Sequence, residues 1–449
     1  MRMPYGLSSY ERAEGNLPEL PVINMYAEEA PTEETGVVLQ SRPGLYDRSQ
    51  DMGTSGVDTL FQNDGVLSGA LFGIGSGALY GGTGYIGAVT GSGPFSIAGY
   101  ETRIFTAGGG GLYTWDGATF AAVAVPDSAN VIKVVVGASR AIIIPADGEA
   151  YYWSDPLTTT IGALSFTSAE SQPDRLRDAL FIDDVLILFG GTTVEFHPNT
   201  GDADLPFQPL EGRVFEVGIR ATGCATAFGA TFAWVTSKGQ ICISDPANII
   251  TNAGLEAKIA ASTNCRLFTF FIEGGEFLAL RLDHETQVYS ARSRMWSEFA
   301  SWQQTNWLAQ CHAAGVFGSA TGGETFTWAS DHEEVRSILE RRFRAGVVIN
   351  AGGIPINNIR LRVNAGQTPY VEGDYTDPTI EARISRDGGN TWGEWKPRHL
   401  GVMGEYRKRV EWRALGLASA PGFMAEFRVT DPVPLRISDV LVNEPYGGR

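Results

Sequence analysis

The chain has 449 residues, of which 43 % are hydrophobic and 55 are glycine. This apolar content is enough for a packed core and excludes a wholly disordered protein. The net charge of −17 disfavours a dedicated nucleic-acid binder and a protein that binds anionic membranes, because both need a basic surface.

The first 58 residues contain few periodic apolar runs and are interrupted by Pro, Glu and Gly. The stretch from Glu28 to Glu34 is acidic and contains Pro31. We therefore predict that residues 1–58 form an extended N-terminal arm, ordered only where it lies against another part of a structure. No apolar segment follows Met1–Pro4, which predicts that the chain carries no signal peptide.

One pattern occurs seven times between about residues 70 and 330: an apolar run, a Gly-rich or polar turn, and a second apolar run. The second runs end at or near Tyr80, Tyr113, Tyr152, Phe196, Ile243, Tyr289 and Trp328, which are 33 to 47 residues apart. Each copy predicts a β-hairpin, and a period of roughly 40 residues is typical of one four-stranded propeller blade. We predict an all-β fold with a β-propeller over residues 59–330. Six or seven blades are both compatible with the pattern, since one hairpin could belong to another domain.

Residues 65–100 contain no charged residue, but 12 of these 36 positions are Gly. No run approaches the roughly 20 apolar residues that a membrane helix requires, so no membrane insertion is predicted. Within this stretch, Gly82–Gly87 satisfies GxGxxG. The dinucleotide interpretation needs a following helix, and Ala88–Pro94 will not form one. The sequence therefore predicts no cofactor.

Histidines and cysteines provide no pattern that is typical of a metal site. No His lies at ligand spacing from a second His, and no two Cys have CxxC spacing. The sequence predicts neither metal ligands nor a disulfide framework. These nine residues are His197, His284, His312, His332, His399, Cys224, Cys242, Cys265 and Cys311.

Residues 331–449 again contain alternating apolar and charged residues, as half-exposed antiparallel strands do. This C-terminal β region either closes the propeller or forms a β-sandwich platform. Residues 330–345 fit a capped helix or a strand, and periodicity leaves both open. Residues 336–413 hold 14 Lys/Arg and nine Asp/Glu, whereas the rest of the chain is strongly acidic. The basic excess is either a chance feature of solvated strands or a surface that docks on an acidic partner or neighbouring copy.

The strongest local motif is the Asp box S-x-D-x-G-x-T-W, formed by Ser385, Asp387, Gly389, Thr391 and Trp392. Its predicted role is a structural hairpin turn, in which Asp accepts backbone N–H bonds and Gly adopts a left-handed conformation. Similar boxes occur in sialidases and other sugar-handling propellers, so a carbohydrate-binding or sialidase-like propeller is the alternative function. Such enzymes carry several boxes and an arginine cluster, whereas this chain has one box and no identifiable arginine set. No catalytic residue is therefore assigned, and we predict that the chain is not an enzyme.

Several stretches together resemble the packaged-DNA stabilisation proteins, the tail hub or nozzle proteins, of short-tailed bacteriophages of the P22 type. These stretches are Leu39–Leu45, Ser168–Asp174, Asp184–Phe196, Ser385–Trp412 and Pro434–Ile437. The string from Ala169 to Asp174 is the most specific, and the family also favours a strand at 338–344.

The resemblance implies a structural protein of the virion tail, assembled in the host cytoplasm as a six-fold ring beneath the portal and its adaptor. Such a ring extends the DNA channel and retains packaged double-stranded DNA until ejection. Its expected partners are the adaptor, a tail needle or plug, and tailspikes or fibres. The family supplies no catalytic residues. An acidic lumen would let DNA slide, so we predict that loops facing the lumen are predominantly acidic or neutral.

Overall fold

The computed structural model describes residues 2–9, 20–33, 36–82, 84–169, 174–335, 337–349 and 352–444. The part of the Ser168–Asp174 string at Glu170–Pro173 lies outside the described residues, as does Glu34. Within the described ranges the chain is almost entirely β-structure, with short 3-10 turns at Leu67–Gly69 and Pro126–Ser128 and one α-helix, α1, at Ala253–Ala261. This confirms the all-β prediction.

The N-terminal segment forms four strands, of which the first, third and fourth pair with distant parts of the chain. They are β1 (Val22–Ile23), β2 (Met25–Glu29), β3 (Val37–Ser41) and β4 (Leu45–Asp51). These four strands lie within residues 1–58, which the sequence predicted as an extended arm, and they belong to three different sheets.

Six groups of four antiparallel strands follow one another along the chain, each a blade with its strands in sequence order. Blades 1 to 5 are separate four-stranded sheets, whereas blade 6 is part of a larger sheet. Blade 1 contains β5 (Val57–Phe61), β6 (Phe72–Gly75), β7 (Ala78–Gly81) and β8 (Gly84–Ala88). Blade 2 contains β9 (Gly91–Tyr100), β10 (Arg103–Gly109), β11 (Leu112–Trp115) and β12 (Phe120–Val123). Blade 3 contains β13 (Val131–Gly137), β14 (Arg140–Pro145), β15 (Ala150–Trp153) and β16 (Phe166–Ser168). Blade 4 contains β17 (Leu176–Ile182), β18 (Val185–Gly190), β19 (Val194–Pro198) and β20 (Val214–Phe215). Blade 5 contains β21 (Ala225–Phe228), β22 (Thr231–Val235), β23 (Ile241–Ile243) and β24 (Asp245–Ile249). Blade 6 contains β25 (Arg266–Ile272), β26 (Gly275–Arg281), β27 (Thr286–Ser290) and β28 (Trp296–Phe299).

The seventh blade is closed by a strand from the other end of the propeller sequence. It contains β29 (Ala309–Ala313), β30 (Val316–Ser319) and β31 (Glu324–Trp328), and the N-terminal β4 pairs with β31 as the outer strand. The first strands of successive blades contact one another around the whole ring, including β29 against β5. The propeller therefore has seven blades, and each of the seven predicted hairpins forms the two middle strands of one blade.

The remaining strands form a β-sandwich beside the propeller. They are β32 (Arg341–Val348), β33 (Gly353–Val363), β34 (Thr379–Ser385), β35 (Lys396–His399), β36 (Val410–Ser419), β37 (Gly422–Val429) and β38 (Arg436–Val442). One sheet has the order β2-β3-β38-β33-β36, and the other contains β32-β37-β34-β35. Residues 341–348 are thus a strand, which favours the strand interpretation of the 330–345 segment, although the strand begins at Arg341 and not at Ile338. The sandwich core includes Phe343, Trp412 and Phe427, all almost fully buried.

One sheet continues from the propeller into the sandwich. The two-residue strand β1 pairs in parallel with β28 of blade 6 and antiparallel with β32 of the sandwich, which makes a nine-stranded sheet. Asn24 follows β1 with a left-handed φ of 56°, a conformation that Asn tolerates, and turns the chain into the second sandwich sheet. This shared sheet fixes the sandwich at the outer edge of blade 6.

A buried polar network reinforces the junction between the two domains. The Arg42 guanidinium pairs with both carboxylate oxygens of Glu334, at 2.9 and 3.2 Å, and both side chains are almost completely buried. Arg42 Nε donates to Asn24 Oδ1 at 2.9 Å, and the guanidinium lies over the rings of Phe299 and Trp307. The network joins the N-terminal segment, blade 6 and the segment that leads into the sandwich.

Candidate functional site

The centre of the propeller is crossed by side chains from several blades. Asp58 of blade 1 pairs with Arg266 of blade 6, with 2.5 Å between Oδ1 and Nη2. Asp58 Oδ2 also accepts the Phe95 N–H of blade 2 at 2.7 Å. Asp58 thus connects its own strand β5 with the inner strands β9 and β25. Blade 7 lies between β5 and β25 in the ring, so the contact with Arg266 skips one blade.

A second ion pair lies between the inner strands of blades 3 and 4. Lys133 Nζ is 2.8 Å from Asp178 Oδ1, and the Asp178 side chain is fully buried. Its other oxygen accepts the Gly223 N–H at 2.7 Å from the start of blade 5. The Lys133 ammonium group and the Asp178 carboxylate are therefore both paired with groups of the protein itself.

Backbone approach closes the centre further. A Cβ atom added at Gly223 would lie 3.4 Å from the Pro94 side chain, although Gly223 belongs to blade 5 and Pro94 to blade 2. Six of the seven blades thus contribute to contacts that cross the centre of the propeller. The two central ion pairs were not predicted, because their partners lie 208 and 45 residues apart in the sequence.

The Asp box lies in the sandwich, in the turn that follows β34. Asp387 Oδ1 accepts the Thr391 N–H at 2.9 Å, and Oδ2 accepts the Thr391 hydroxyl at 2.6 Å. Ser385 donates to Asp387 at 2.7 Å and accepts the Gly389 N–H at 2.8 Å. Gly388 and Gly389 both have left-handed φ values, of 69° and 96°. The hydrogen bonds from Thr391 and Ser385 lower the pKa of Asp387 to about 2.

The remaining box residue, Trp392, belongs to a layer of arginines and tryptophans on one face of the sandwich sheet. Arg344 and Arg383 lie 5.1 and 4.9 Å from the Trp392 ring centre, and Arg383 also lies over Trp395. Both arginines pair with Glu426, whose side chain is fully buried. Arg428 continues the layer by pairing with Glu381 at 2.5 Å and stacking on Trp395.

The arginines of this Arg–Trp layer pair with glutamates of the same sheet. The layer therefore fits a structural role, in which it covers one face of the sheet, better than a role as a binding pocket for an anionic ligand. The sequence does carry a signal for it, namely charged residues at alternate positions of β32, β34 and β37. Only the strand register reveals that Arg344, Glu426 and Arg383 occupy one row.

Replacing Asp387 with Ala is expected to loosen the Asp-box turn without unfolding the sandwich. The substitution removes acceptors for the Thr391 N–H and hydroxyl and for the Ser385 hydroxyl, all within a solvent-accessible turn. Hydrogen exchange followed by mass spectrometry should show faster exchange over residues 386–392 and unchanged protection in β37. The Asp387→Asn variant keeps one acceptor oxygen, so its exchange rate over residues 386–392 should lie between those of the parent protein and Asp387→Ala. Faster exchange in β37 of Asp387→Ala would show that the turn also stabilises the neighbouring sheet, contrary to this expectation.

The other motifs have structural surroundings. Gly84–Ala88 forms strand β8, so no helix follows the GxGxxG string, and Thr83 lies outside the described residues. All four cysteines are buried and free. Within the described ranges, no group of three or more His, Cys, Asp and Glu side chains is arranged to hold a metal ion. No helix of the described chain is long and apolar enough to cross a membrane.

Three of the five histidines are engaged in the interior. His197 contacts Glu195 at 3.2 Å and the Tyr151 hydroxyl at 2.9 Å. Burial lowers the pKa of His312 to about 4. Burial and the nearby Arg341 charge lower the pKa of His332 to about 4, and its Nδ1 lies 3.0 Å from the Arg42 carbonyl oxygen at the domain junction.

Lowering the pH from 6.5 to 4 should therefore destabilise the protein. A neutral His held below its ordinary pKa of about 6.5 makes the unfolded state bind more protons across this range. The stabilisation is complete above pH 6.5, is lost as the pH falls towards 4, and amounts to about 2–3 kcal/mol for each histidine. The urea midpoint should decrease less between pH 7.5 and 4 for His332→Gln than for the parent protein. His284→Gln, at an exposed position, is the control and should keep the slope of the parent protein. Equal slopes in all three proteins would contradict the assignment.

Two family models match the chain in succession. The model of the bacteriophage P22 Gp10 β-propeller matches residues 5–310, and the model of the P22 Gp10 β-sandwich matches residues 340–443. Together they cover nearly the whole chain and place the boundary between the two models close to the junction seen in the structure. No curated protein matches the chain significantly.

Similar solved structures include several propellers of low identity. PorZ of the type-IX secretion system of Porphyromonas gingivalis is 11 % identical, with a TM-score of 0.38, 79 % of this chain covered and 46 % of PorZ covered. The Cps50 (Swd1) propeller domain of Myceliophteria thermophila is 10 % identical, with a TM-score of 0.41 and coverages of 63 % and 99 %. An exo-β-1,3-galactanase from Phanerochaete chrysosporium is 10 % identical, with a TM-score of 0.28 and coverages of 78 % and 97 %. This chain thus spans less than half of PorZ, and likenesses at these TM-scores say nothing about function.

Proposed function

Because this chain belongs to the family of bacteriophage P22 Gp10, a phage structural protein, we propose that it forms the tail nozzle ring of a short-tailed phage. In this role the ring lies below the portal and adaptor, extends the DNA channel and retains packaged DNA until ejection. The observation that carries the proposal is the match of both family domains, in order, to a propeller and a sandwich that share one sheet.

The contacts across the centre of the propeller support a ring made of several copies. Ion pairs and the close approach of Pro94 to Gly223 join blades across this centre, so a DNA duplex does not fit there. Double-stranded DNA would therefore pass between copies and not through one. In the proposed arrangement the propeller is a wall element of the channel, and six copies are the number that the family resemblance implies.

The proposal is tested with virions of the phage that carries this sequence, produced with and without the chain. Particles lacking it should package DNA and then lose it, so that the genome becomes sensitive to added nuclease. Supplying the intact chain during assembly should restore nuclease resistance. Retention of DNA at the normal level without the chain would overturn the proposed role.

We expect the channel of the assembled ring to be lined predominantly by acidic or neutral side chains. Lys and Arg would bind the DNA phosphates through counterion release and slow ejection. Electron microscopy of tails at side-chain resolution measures this directly. A channel lined by the Lys and Arg of residues 336–413 would contradict the expectation while leaving the ring itself in place.

A further inference from the structure

One side of the sandwich combines exposed apolar residues with a basic surface. We call it the distal edge: β35, β36 and the loop 400–409 between them. In strand order, β35 and β36 are the edges of the two sandwich sheets that lie farthest from the propeller. Val402, Met403 and Tyr406 project from the loop and are 42, 50 and 67 % exposed.

The charges of the distal edge are mainly positive. Lys396, Arg398, Arg407, Lys408 and Arg413 are all exposed there. Lys408 pairs with Glu405 at 2.9 Å and Arg413 with Glu411 at 3.1 Å, so these two are partly compensated. β35 itself is short and contains Lys396 and Pro397, features that discourage unregulated strand pairing at a sheet edge. The loop is therefore the better candidate for a specific contact.

The propeller carries a surface of complementary character on blades 3 and 4. We call it the acidic rim: Asp155, Asp183, Asp184, Asp202 and Asp204, all exposed, together with the exposed Leu157 and Leu205. Arg140 bridges the two loops, donating to the Ser154 carbonyl at 2.9 Å and the Ala203 carbonyl at 3.2 Å. Arg140 is itself buried, so it supports the two loops from beneath while the aspartates stay at the surface.

The acidic rim is fixed by its own backbone contacts. The Asp202 carboxylate accepts the N–H groups of Asp204 and Leu205 at 2.8 and 3.0 Å, and these bonds lower its pKa. Asn199 donates to both oxygens of Asp184, which ties the turn between β17 and β18 to the loop after β19. The rim is thus a preorganised surface that stays negatively charged at neutral pH.

The two surfaces lie on different domains of the molecule. The sandwich is attached at the outer edge of blade 6, whereas the acidic rim lies on blades 3 and 4, which are three and two blades away around the ring. Two different and complementary surfaces on one chain generate head-to-tail contacts, and these close into a ring when the rotation between copies permits it.

We propose that the distal edge of one copy docks on the acidic rim of the next copy, and that repetition of this contact closes the ring. The inference rests on the proposed ring function and specifies its interface. Met403 and Tyr406 pack against Leu157 and Leu205, while Arg407 and its neighbours face the aspartates. Apolar contacts at the middle with complementary charges around them are the usual anatomy of a specific interface. The basic excess of the C-terminal region then lies between copies and away from the DNA.

Paired cysteines test the contact in intact virions. Met403→Cys and Leu205→Cys introduce the only exposed thiols of this chain, because its four native cysteines are all buried. Particles carrying both substitutions in each chain should give a ladder of cross-linked oligomers up to the ring size with a short bis-maleimide reagent. Particles assembled from a mixture of the two single variants should give cross-linked species only where unlike variants are neighbours. The matched control combines Met403→Cys with Ser237→Cys, in an exposed turn between β22 and β23 on the other face, and should give no ladder.

Charge reversal provides the second arm. Arg407→Glu with Lys408→Glu, or Asp155→Lys with Asp204→Lys, should reduce cross-linking of the paired cysteines more than about tenfold. Combining both reversals in one chain should restore it. Unchanged cross-linking on charge reversal, or self-linking of Met403→Cys alone, would overturn the head-to-tail contact.

The proposed function and this interface can be disproved independently of each other. If electron microscopy of the same virions shows a ring and the paired cysteines give no ladder, the interface lies elsewhere and this inference is wrong, whereas the nozzle stands. If the images show no ring of this chain, the proposed function is wrong as well.

Discussion

Replacing Arg42 with Ala should lower the free energy of unfolding by about 3–5 kcal/mol, because it leaves the buried Glu334 carboxylate without its partner. The two side chains are 0 and 1 % exposed and form a bidentate pair. The substitution also removes the donor to Asn24 Oδ1 and the cation above the ring of Trp307. The change should appear as a large decrease in the urea midpoint, followed by tryptophan fluorescence.

A double substitution distinguishes loss of the pair from loss of the arginine alone. Arg42→Met with Glu334→Leu removes both charges and should cost less than Arg42→Ala, since no uncompensated charge remains in the interior. Arg175→Ala is the matched control, because Arg175 and Asp147 form an ion pair whose side chains are 74 and 81 % exposed. That variant should change stability by less than about 1 kcal/mol. An unchanged midpoint for Arg42→Ala would mean that the junction does not limit unfolding.

The predictable part of the fold was the part with local pairing. Each hairpin has two apolar strands separated by a short turn, so its pattern lies within one continuous stretch of sequence. Strands such as β12 (Phe120–Val123) and β20 (Val214–Phe215), at the outer edges of their blades, are half-exposed and carry no comparable pattern. For this reason the seven hairpins were predictable, whereas the choice between six and seven blades was not.

The Asp box and the domain junction show the same contrast at the level of side chains. The box was predictable because its hydrogen bonds join residues no more than four positions apart. The pair of Arg42 with Glu334 spans 292 positions, and a buried arginine cannot be distinguished from an exposed one by composition. The distal edge falls between these cases: its basic excess was evident in the sequence, but its position at the far side of the sandwich follows from strand order alone.

Introducing a charge on the inner side of β4 should prevent the propeller from closing. Leu45 is 2 % exposed and packs in the aromatic core between blades 6 and 7, which includes Phe270 and Phe317. Leu45→Asp would bury an unpaired carboxylate there, at a cost large enough to detach the strand from β31. Tyr46→Asp is the matched control, because Tyr46 occupies the next position of the same strand and is 66 % exposed.

We expect Leu45→Asp and Tyr46→Asp to differ strongly in solubility and in protease sensitivity. Leu45→Asp should yield mainly insoluble or protease-sensitive protein, with cleavage in blade 7, whereas Tyr46→Asp should resemble the parent in limited proteolysis and size-exclusion chromatography. Blade 7 is the sensitive point because its outer strand comes from residues far away in the sequence, so the loss of β4 leaves β31 with an unpaired edge. Deleting residues 2–51 should be more severe still, since β1, β2 and β3 complete both sandwich sheets. Equal protease resistance of Leu45→Asp and Tyr46→Asp would mean that three strands suffice for the seventh blade, and that the N-terminal segment is needed for the sandwich alone.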